Sequence, residues 1–414
     1  MRIIVVGAGL AGLTCAKVLM ESGVEVVVVE ASDGVGGRVR TDERDGFLLD
    51  RGFQVYFTSY PVSKRHLDHA ALNLKSFDPG AILRRGREES ILSDPLRDPK
   101  ALLPSLLSNA ATFPDKLRTL RLVAGLLSEG AVTAGEIDGT DSSSLEYLRG
   151  YGLSERIVDN FYRPFYGGIF LDRSLSTSSR VLRFTFKMLA TGRTTIPALG
   201  IGEIPKQLAA HLKPGALRTS SPVERLLRDG ERVVGVEAAG EVHEADAVVV
   251  ATEAPEAGRL AGAVAPEGSV GQVCVYYAAD GIESGKKIVL NAESGEFVNN
   301  AVQISAVAPS YAPRGHHLLS VVALEGFRLS DEEIYRRGVE DVTRWYPEAD
   351  LDPLEIYRVP YAQFDQPPGI HEWLPENRTN TPGLVLAGEY TEDSSINGSM
   401  LSGEKAAGEV MRAW

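Results

Sequence analysis

Cysteine is scarce in this chain, which has two cysteines among 414 residues. Cys15 follows a glycine-rich segment and Cys274 lies in an apolar run, so we expect two packed thiols and neither a disulfide nor a catalytic pair. The Cys-x-x-Cys motif and the Gly-x-Ser-x-Gly elbow are both absent. Because Met1 leads almost directly into an apolar segment, we expect no signal peptide. These features predict a reducing, cytoplasmic location.

Long apolar runs and an excess of positive charge are also missing. No window reaches the ~18 apolar residues that a membrane-spanning helix needs. The apolar run from Ala101 to Phe113 is short and contains Pro104. The formal net charge is −13 and the pI is about 5.2. This charge argues against nucleic acid and anionic bilayers as partners.

One segment is compatible with a peripheral contact with a membrane. Thr112-Phe-Pro-Asp115 is typical of a helix start. The residues that follow place apolar side chains on one face and basic side chains elsewhere, namely Leu117, Leu120, Ala124 and Leu127 against Lys116, Arg118 and Arg121. The pattern fits a helix packed on the core, and it also fits a surface that touches a membrane or a lipophilic substrate.

The first thirty residues predict a strand, a glycine turn, a helix and a second strand that ends in an acid. In the turn Gly7-Ala-Gly9-Leu10-Ala11-Gly12, the first glycine allows the tight bend and the second allows close approach of a pyrophosphate. Gly12 allows the helix to pack on the strand. The helix N-terminus offers free N–H groups to phosphates. Glu30 follows about twenty residues later, where such units bind a ribose.

A second glycine pair follows the acid at once. Ala31 opens a segment that reaches Gly36-Gly37-Arg38, and Arg38 offers bidentate charge to a phosphate or an electron-rich ring. A longer cofactor than a nicotinamide dinucleotide needs this extra cover. The string resembles the flavoprotein superfamily of amine oxidases, protoporphyrinogen oxidases and carotene desaturases. The resemblance implies FAD, and we expect it to be bound without a covalent link.

Two further segments carry the same resemblance. Asp50 to Pro61, with Gly52-Phe53-Gln54 inside it, is similar to the plant and cyanobacterial type of carotene desaturase. Gly383 to Thr391 is similar to the second FAD motif of the superfamily, and a helix with small residues follows. The resemblance implies that the cofactor contacts Gly7, Gly9, Leu10, Ala11, Gly12, Glu30, Ala31, Gly36, Gly37, Arg38, Gly52, Phe53, Gln54, Val223, Ala251, Thr252, Gly388, Glu389, Gly398, Ser399 and Met400.

The order of elements implies interleaved lobes. We predict an α/β protein with a Rossmann-like FAD-binding lobe at 1–75, 197–255 and 375–414. An α+β substrate-binding lobe at 76–196 and 256–374 is predicted to hold an antiparallel sheet and helices. Strands are expected near 271–278, 287–291, 301–308 and 316–324. Residues from about 76 to 200 are expected to be mainly helical.

The chemistry at the flavin is less determined, and no catalytic residue is identified. Amine oxidases of the superfamily carry an aromatic before the final helix, and this chain has none there. Lys286 and Lys287 are the candidates for the lysine that many of them add, although both look solvated. An apolar pocket between the lobes could be lined by aromatic side chains, of which half or more are expected to be ordinary core residues; the candidates are Phe161, Tyr162, Phe165, Tyr166, Tyr361, Phe364 and Trp373.

Three functions stay open. The first is a desaturase-like or dehydrogenase-like FAD oxidoreductase that takes hydride from a C–H bond of a lipophilic small molecule. The second is a flavin amine oxidase that releases aldehyde and peroxide, and the third is a non-redox flavoprotein such as an isomerase. One dinucleotide motif predicts that NAD(P)H is not a direct donor, and dioxygen or a quinone is the expected acceptor. His66 and His69 have a spacing compatible with metal ligands, but their charged neighbours favour a solvated face, so no metal is predicted.

Overall fold

The computed structural model describes residues 1–93, 97–128, 130–262, 266–282 and 284–413. The strands are β1 (Arg2–Val6), β2 (Glu25–Val29), β3 (Thr41–Arg44), β4 (Phe47–Asp50), β5 (Tyr56–Phe57), β6 (Lys75–Ser76), β7 (Ala81–Arg85), β8 (Glu88–Leu92), β9 (Thr194–Ile196), β10 (Leu217–Arg218), β11 (Val223–Asp229), β12 (Arg232–Ala238), β13 (Glu241–Glu244), β14 (Ala247–Val250), β15 (Ser269–Asp280), β16 (Ile288–Asn291), β17 (Asn300–Gln303), β18 (Leu318–Ala323), β19 (Asp350–Phe364) and β20 (Leu384–Leu386). The α-helices are α1 (Leu10–Glu21), α2 (Ser63–His66), α3 (Leu102–Leu107), α4 (Phe113–Leu126), α5 (Ser144–Gly150), α6 (Glu155–Ile157), α7 (Arg163–Phe170), α8 (Ser179–Thr191), α9 (Glu203–Ala209), α10 (Ala254–Ala261), α11 (Ile304–Val307), α12 (Asp331–Trp345) and α13 (Ile396–Ala413).

A parallel sheet with the strand order β10-β2-β1-β14-β20 holds the N-terminal segment. Along β1, Ile3 and Val5 pack on the side of α1 and α13, and Ile4 and Val6 pack on the side of β11, β12 and α10. The sheet is therefore buried on both faces, which explains the almost uninterrupted Val and Ile of its strands. The chain order reverses at β1, so a crevice lies beyond the carboxyl ends of β1 and its neighbours.

Helices α1 and α13 lie in close contact on this sheet. A Cβ atom added at Gly403 of α13 would lie 2.3 Å from the backbone oxygen of Ala11 and 2.9 Å from Cβ of Thr14. Only a residue without a side chain fits this crossing. The C-terminal helix is thus held against the helix that follows the glycine turn, and its own N-terminus lies beside the same crevice.

The second large sheet has the strand order β19-β15-β18-β17-β16-β7-β8. The prediction of an antiparallel sheet is right for every neighbouring pair except β7 and β16, which run parallel. The predicted strand at 301–308 ends at Gln303, and Ile304–Val307 is helical. Ile304 and Val307 are both buried, and a spacing of three serves one face of a helix as well as a strand.

The segment from 76 to 200 is only partly as predicted. Helices α3 to α8 lie in it but cover less than half of its residues, and β7 and β8 form a hairpin that extends the second sheet. The helix start at Thr112 is confirmed, because Thr112 accepts a hydrogen bond from the Asp115 N–H and the Asp115 carboxylate accepts one from the Thr112 N–H. Cys15 and Cys274 are buried free thiols, as expected. The limits of the two lobes stay a prediction.

Within the described part of the chain, no helix has both the length and the apolar content that crossing a membrane requires.

Candidate active site

The glycine turn leaves open space at the N-terminus of α1. Gly7 has a φ of +104°, and a Cβ atom there would lie 2.7 Å from the Ala251 oxygen. A Cβ atom at Gly12 would lie 2.0 Å from the Gly7 oxygen, whereas the Cβ position of Gly9 has no atom within 4 Å. No side chain caps α1. Its first N–H groups are therefore available to a phosphate.

Backbone N–H groups position the Glu30 carboxylate at the end of β2. Its Oε2 accepts a hydrogen bond from the Ala8 N–H at 2.7 Å and its Oε1 accepts one from the Ser32 N–H at 2.8 Å. A carboxylate has about four acceptor positions. Glu30 therefore keeps the capacity to accept a hydroxyl of a bound ligand while it ties the two loops together.

The second glycine pair lies directly against the first. The Gly36 N–H donates to the Ala8 oxygen at 2.8 Å, and the Cβ position of Gly37 is 3.7 Å from Gly9 Cα. The two glycine segments that are separated in sequence thus form one wall.

Arg38 connects this wall to the C-terminal motif. Its Nη1 donates to the Ala362 oxygen at 2.6 Å, and its Nη2 lies 2.7 Å from Oε1 of Glu389. Burial lowers the pKa of the guanidinium, but the charges of Glu389 and Glu253 outweigh burial and raise it. Arg38 is thus committed to protein partners, and its expected role as a bidentate phosphate ligand stays a prediction.

Glu389 is a buried carboxylate that borders the same cavity. The Ser394 hydroxyl donates to its Oε2 at 2.6 Å. The preceding glycine is required by its neighbour, because a Cβ atom at Gly388 would lie 2.3 Å from the Tyr390 ring. The Tyr390 hydroxyl is buried and has no hydrogen-bond partner among the described residues.

The N-terminus of α13 completes this side of the site. The Gly398 N–H donates to the Ser395 hydroxyl at 2.8 Å, and a Cβ atom at Gly398 would lie 2.3 Å from the Asp393 oxygen. Ser395, Ile396 and Ser399 border the cavity. The first turn of a long helix therefore opens onto the space between the glycine wall and Glu389.

One cavity of about 500 Å³ brings most of the predicted cofactor residues together. It is bordered by every residue of the predicted set except Gly12, Gly52, Gly398 and Met400. Gly12 and Gly398 permit close backbone packing, Gly52 lies against Gln272, and Met400 is in the core. Open space at Gly9, acceptor groups at both ends and a free helix terminus fit the phosphates and hydroxyls of an FAD.

Part of the cavity wall is apolar and aromatic. Phe57 and Tyr60 have ring centroids 5.3 Å apart, and the Tyr60 and Phe184 rings are nearly parallel with centroids 6.4 Å apart. Val181 and Phe170 border the same space. Sequence reasoning missed this wall, because β5, α7 and α8 meet only in the folded chain. Tyr60, in the Tyr-Pro turn, was the one local signal.

The predicted aromatic pocket residues were the wrong ones. None of the seven aromatic residues borders the cavity. Tyr162, Tyr166 and Phe364 are core residues, and Trp373 is 80% exposed. The candidate lysines are also elsewhere: Lys287 pairs with Asp98 at 2.6 Å, and Lys286 is exposed.

Asp393 is a buried acid on the cavity wall that sequence reasoning did not single out. Its carboxylate accepts hydrogen bonds from the Ala134 N–H at 3.2 Å and from the Ser395 hydroxyl. Burial raises the pKa of Asp393, and burial together with the Asp393 charge raises the pKa of Tyr60. The two side chains are therefore close enough to influence each other.

Both candidate histidines have side-chain partners. His66 Nε2 lies 2.6 Å from Oε1 of Glu404, and His69 Nε2 lies 2.7 Å from the Tyr56 hydroxyl. Within the described ranges, no group of three His, Cys, Asp or Glu residues is arranged to hold a metal ion.

Comparison with known proteins adds independent evidence. The chain is 32% identical over 179 residues to coproporphyrinogen III oxidase of Propionibacterium freudenreichii, a match that covers 41% of this chain and 32% of that protein. It is 22% identical over 472 residues to 15-cis-phytoene desaturase of Synechococcus elongatus, covering 99% of this chain and 96% of the relative. A variant of putrescine oxidase has a similar solved structure, with a TM-score of 0.73, 18% identity and coverage of 100% and 99%.

The family model described as flavin containing amine oxidoreductase matches residues 10–411. This match begins within the glycine turn, includes Glu389 and most of α13, and confirms the predicted superfamily. The protein is an FAD-dependent oxidoreductase. The chain belongs to the family of flavin containing amine oxidoreductases.

Proposed function

We propose that the chain dehydrogenates a lipophilic small molecule, in a desaturase-like reaction that takes hydride from a C–H bond. The observation that carries this proposal is the apolar wall formed by Phe57, Tyr60, Val181 and Phe184 next to the predicted cofactor residues. No lysine borders the cavity among the described residues. The similarity to a protein named phytoene desaturase agrees with this substrate class.

In this proposal the 17 residues of the predicted set that border the cavity hold FAD in a Rossmann-like lobe with the limits given above, and Gly12, Gly52, Gly398 and Met400 contribute to the packing of that lobe. The α1 N-terminus binds the pyrophosphate, Glu30 accepts a ribose hydroxyl, and Glu389 accepts a hydroxyl of the ribityl chain. Arg38 fixes the Glu389 carboxylate by an ion pair. Val223 contributes its backbone at the adenine end.

Bound FAD supplies the two-electron acceptor for the hydride. The chain positions the donor carbon and excludes water. Phe57, Val181 and Phe184 provide an apolar surface for the substrate. Transfer of a lipophilic substrate from water to this surface lowers its free energy. The new double bond requires loss of a hydride from one carbon and of a proton from its neighbour; the chain supplies orientation for the first, and the proton is released to solvent. The buried acid Asp393 on the cavity wall is already hydrogen-bonded within the protein, which agrees with a positioning role for this wall.

The electrons are proposed to leave to dioxygen or a quinone. One dinucleotide motif supports this choice over NAD(P)H, because the chain contains no second nucleotide-binding fingerprint. A cytoplasmic location is part of the same proposal and is supported by the two buried free thiols.

The proposal is tested by anaerobic titration of the purified holoprotein with a carotene and a porphyrinogen, each delivered in detergent. The visible flavin band is expected to bleach with one of these donors. If it stays unchanged with every donor while ligands still perturb its shape, the non-redox alternative is favoured.

One observation supports amine oxidation as a second candidate. A buried carboxylate beside parallel rings can receive an ammonium group, and Asp393 with Tyr60 and Phe184 has these components. The test is Asp393→Asn, with Ser395→Ala as a matched variant that removes the hydrogen bonds of the Ser395 hydroxyl to Asp393 and Gly398 but keeps the charge. A loss of amine-dependent bleaching in the first variant alone would favour the second candidate.

A further inference from the structure

Helices α3 and α4 present a large apolar surface to solvent. We call it the leucine surface and define it by Leu103, Leu106, Leu107, Phe113, Leu117 and Leu120. Each of these side chains is at least 51% exposed. Isolated exposed apolar residues are common, but six on two consecutive helices form a patch, and patches mark contact sites.

The α4 helix has two apolar faces with different roles. Leu122 and Leu126 are buried and pack in the core. Phe113, Leu117 and Leu120 recur at the same helical spacing on the other side of the helix. One face of α4 therefore packs on the core. The opposite face, with Phe113, Leu117 and Leu120, is not covered by any described part of the chain.

The leucine surface is held in a fixed arrangement. The Lys116 Nζ of α4 donates to the Leu106 oxygen at 2.7 Å and to the Ser108 oxygen at 3.3 Å, so it joins the C-terminus of α3 to α4. Asp115 takes part in the capping box and also accepts a hydrogen bond from the Ser154 hydroxyl at 2.6 Å. A surface held by this many polar contacts is built into the fold.

The charge around the leucine surface differs from that of the whole protein. Residues 97–128 contain five Lys and Arg residues and two Asp, in a chain whose net charge is −13. Both acids are engaged, Asp98 with Lys287 and Asp115 in the capping box. Charges beyond about 8 Å are largely screened at physiological ionic strength, so the local basic side chains determine what this surface attracts.

We propose that the leucine surface docks on the surface of a lipid bilayer. Leu117 and Leu120 would enter the boundary between head groups and acyl chains, and Arg121 at the edge of the stripe would contact lipid phosphates. A partly inserted helix with basic residues at its margin is typical of this arrangement. The net charge of the whole chain argues against contact with an anionic bilayer. The basic residues around the leucine surface are the reason why we expect contact at this place.

A second copy of the chain fits this surface less well. A two-fold interface would place the leucine surface against itself. The basic margins would then approach each other, and the two acids of residues 97–128 are already engaged within each copy. A bilayer supplies phosphates where a second copy would supply more guanidinium groups.

The proposal is independent of the reaction, because no residue of the leucine surface borders the cavity. The test is flotation of the FAD-loaded protein with vesicles of phosphatidylcholine alone and with vesicles that also contain phosphatidylglycerol. The wild type is expected to float with both, and more with the second. The double variant Leu117→Ser, Leu120→Ser is expected to reduce the bound fraction at least about tenfold.

The matched control is Leu199→Ser with Val242→Ser, which changes two side chains of similar exposure, 58% and 61%, elsewhere on the molecule. This control is expected to float like the wild type, and Arg121→Gln is expected to weaken binding to phosphatidylglycerol vesicles. Flavin absorbance reports that each variant is folded. No flotation of the wild type, full flotation of the leucine variant or an unchanged response of Arg121→Gln would overturn the proposal. A dimer that dissociates in the leucine variant would assign the surface to a second copy.

Discussion

At the scale of single residues, two acids from opposite ends of the chain are the proposed ligands of the cofactor hydroxyls. Glu30 is held by backbone N–H groups, whereas Glu389 is held by Arg38 and Ser394. Each was predicted as a cofactor ligand from a motif of its own. The resemblance implied that both contact one cofactor, and they meet because β2 and β20, the strands that precede them, lie in the same parallel sheet.

Replacing either acid should weaken FAD binding. A hydrogen bond to a charged group contributes roughly 1.5–3 kcal/mol, so Glu30→Ala or Glu389→Ala should raise the Kd for FAD by about tenfold to a hundredfold. The measurement is fluorescence titration of the apoprotein with FAD. Glu30→Gln and Glu389→Gln keep the shape and serve as controls. An unchanged Kd for an alanine variant would show that its acid is misassigned.

Asp50 gives the fold a predictable pH dependence. Its buried carboxylate accepts hydrogen bonds from Thr41, Tyr311 and the Ile201 N–H, and burial raises its pKa to about 6. In the unfolded chain the pKa is about 3.9. Because the folded value is higher, the stabilising contribution is complete below about pH 4 and is lost as the pH rises through about 6.

The variant Asp50→Asn should lack this loss. The difference in the free energy of unfolding between variant and wild type should therefore shift in favour of the variant by up to about 3 kcal/mol as the pH rises across this range. Urea unfolding at several pH values measures it. A difference that does not change with pH would contradict the raised pKa.

At the scale of elements, the packing of α1 on α13 makes a sharp contrast between two glycines. A Cβ atom at Gly403 meets the Ala11 backbone at 2.3 Å, whereas one at Gly408 meets only the end of the Arg412 side chain at 3.7 Å. Gly403→Ala should destabilise the fold by about 1–3 kcal/mol through overpacking. Gly408→Ala should stabilise it by up to about 1 kcal/mol, because alanine favours the helix.

The urea midpoints of these two variants test the packing directly, since the same substitution is made on the same helix. A destabilising effect of equal size at both positions would mean that the contact with α1 does not matter.

Some elements could be predicted from the sequence, whereas the pairing of distant strands could not. The helix start at Thr112 was predictable, because a capping box is a local pattern. The parallel pair of β7 and β16 was not, because the register of strands distant in sequence follows from tertiary packing. The residues of the apolar wall were not predicted for the same reason. Phe57 and Phe184 are 127 positions apart in sequence, and no local pattern marks Phe184 as a cavity residue.

At the scale of the whole molecule, the sequence contains one dinucleotide-binding motif. NADPH should therefore fail as a direct electron donor. Anaerobic mixing of the holoprotein with micromolar NADPH should leave the visible flavin band unchanged over minutes, with dithionite as the positive control. Rapid bleaching would mean that a second nucleotide site exists, and it would reopen the choice of acceptor.

In the proposed function, the apolar wall holds a substrate whose C–H bond donates a hydride to the cofactor. The most direct measurement is the anaerobic rate of flavin bleaching by a carotene and a porphyrinogen in detergent, compared with benzylamine, tyramine and spermidine at equal concentration. We predict that an apolar donor is faster than every amine by at least about tenfold, a difference of 1.4 kcal/mol in the barrier. Faster bleaching by any amine, with stoichiometric aldehyde and peroxide, would contradict the claim and assign the protein to amine oxidation.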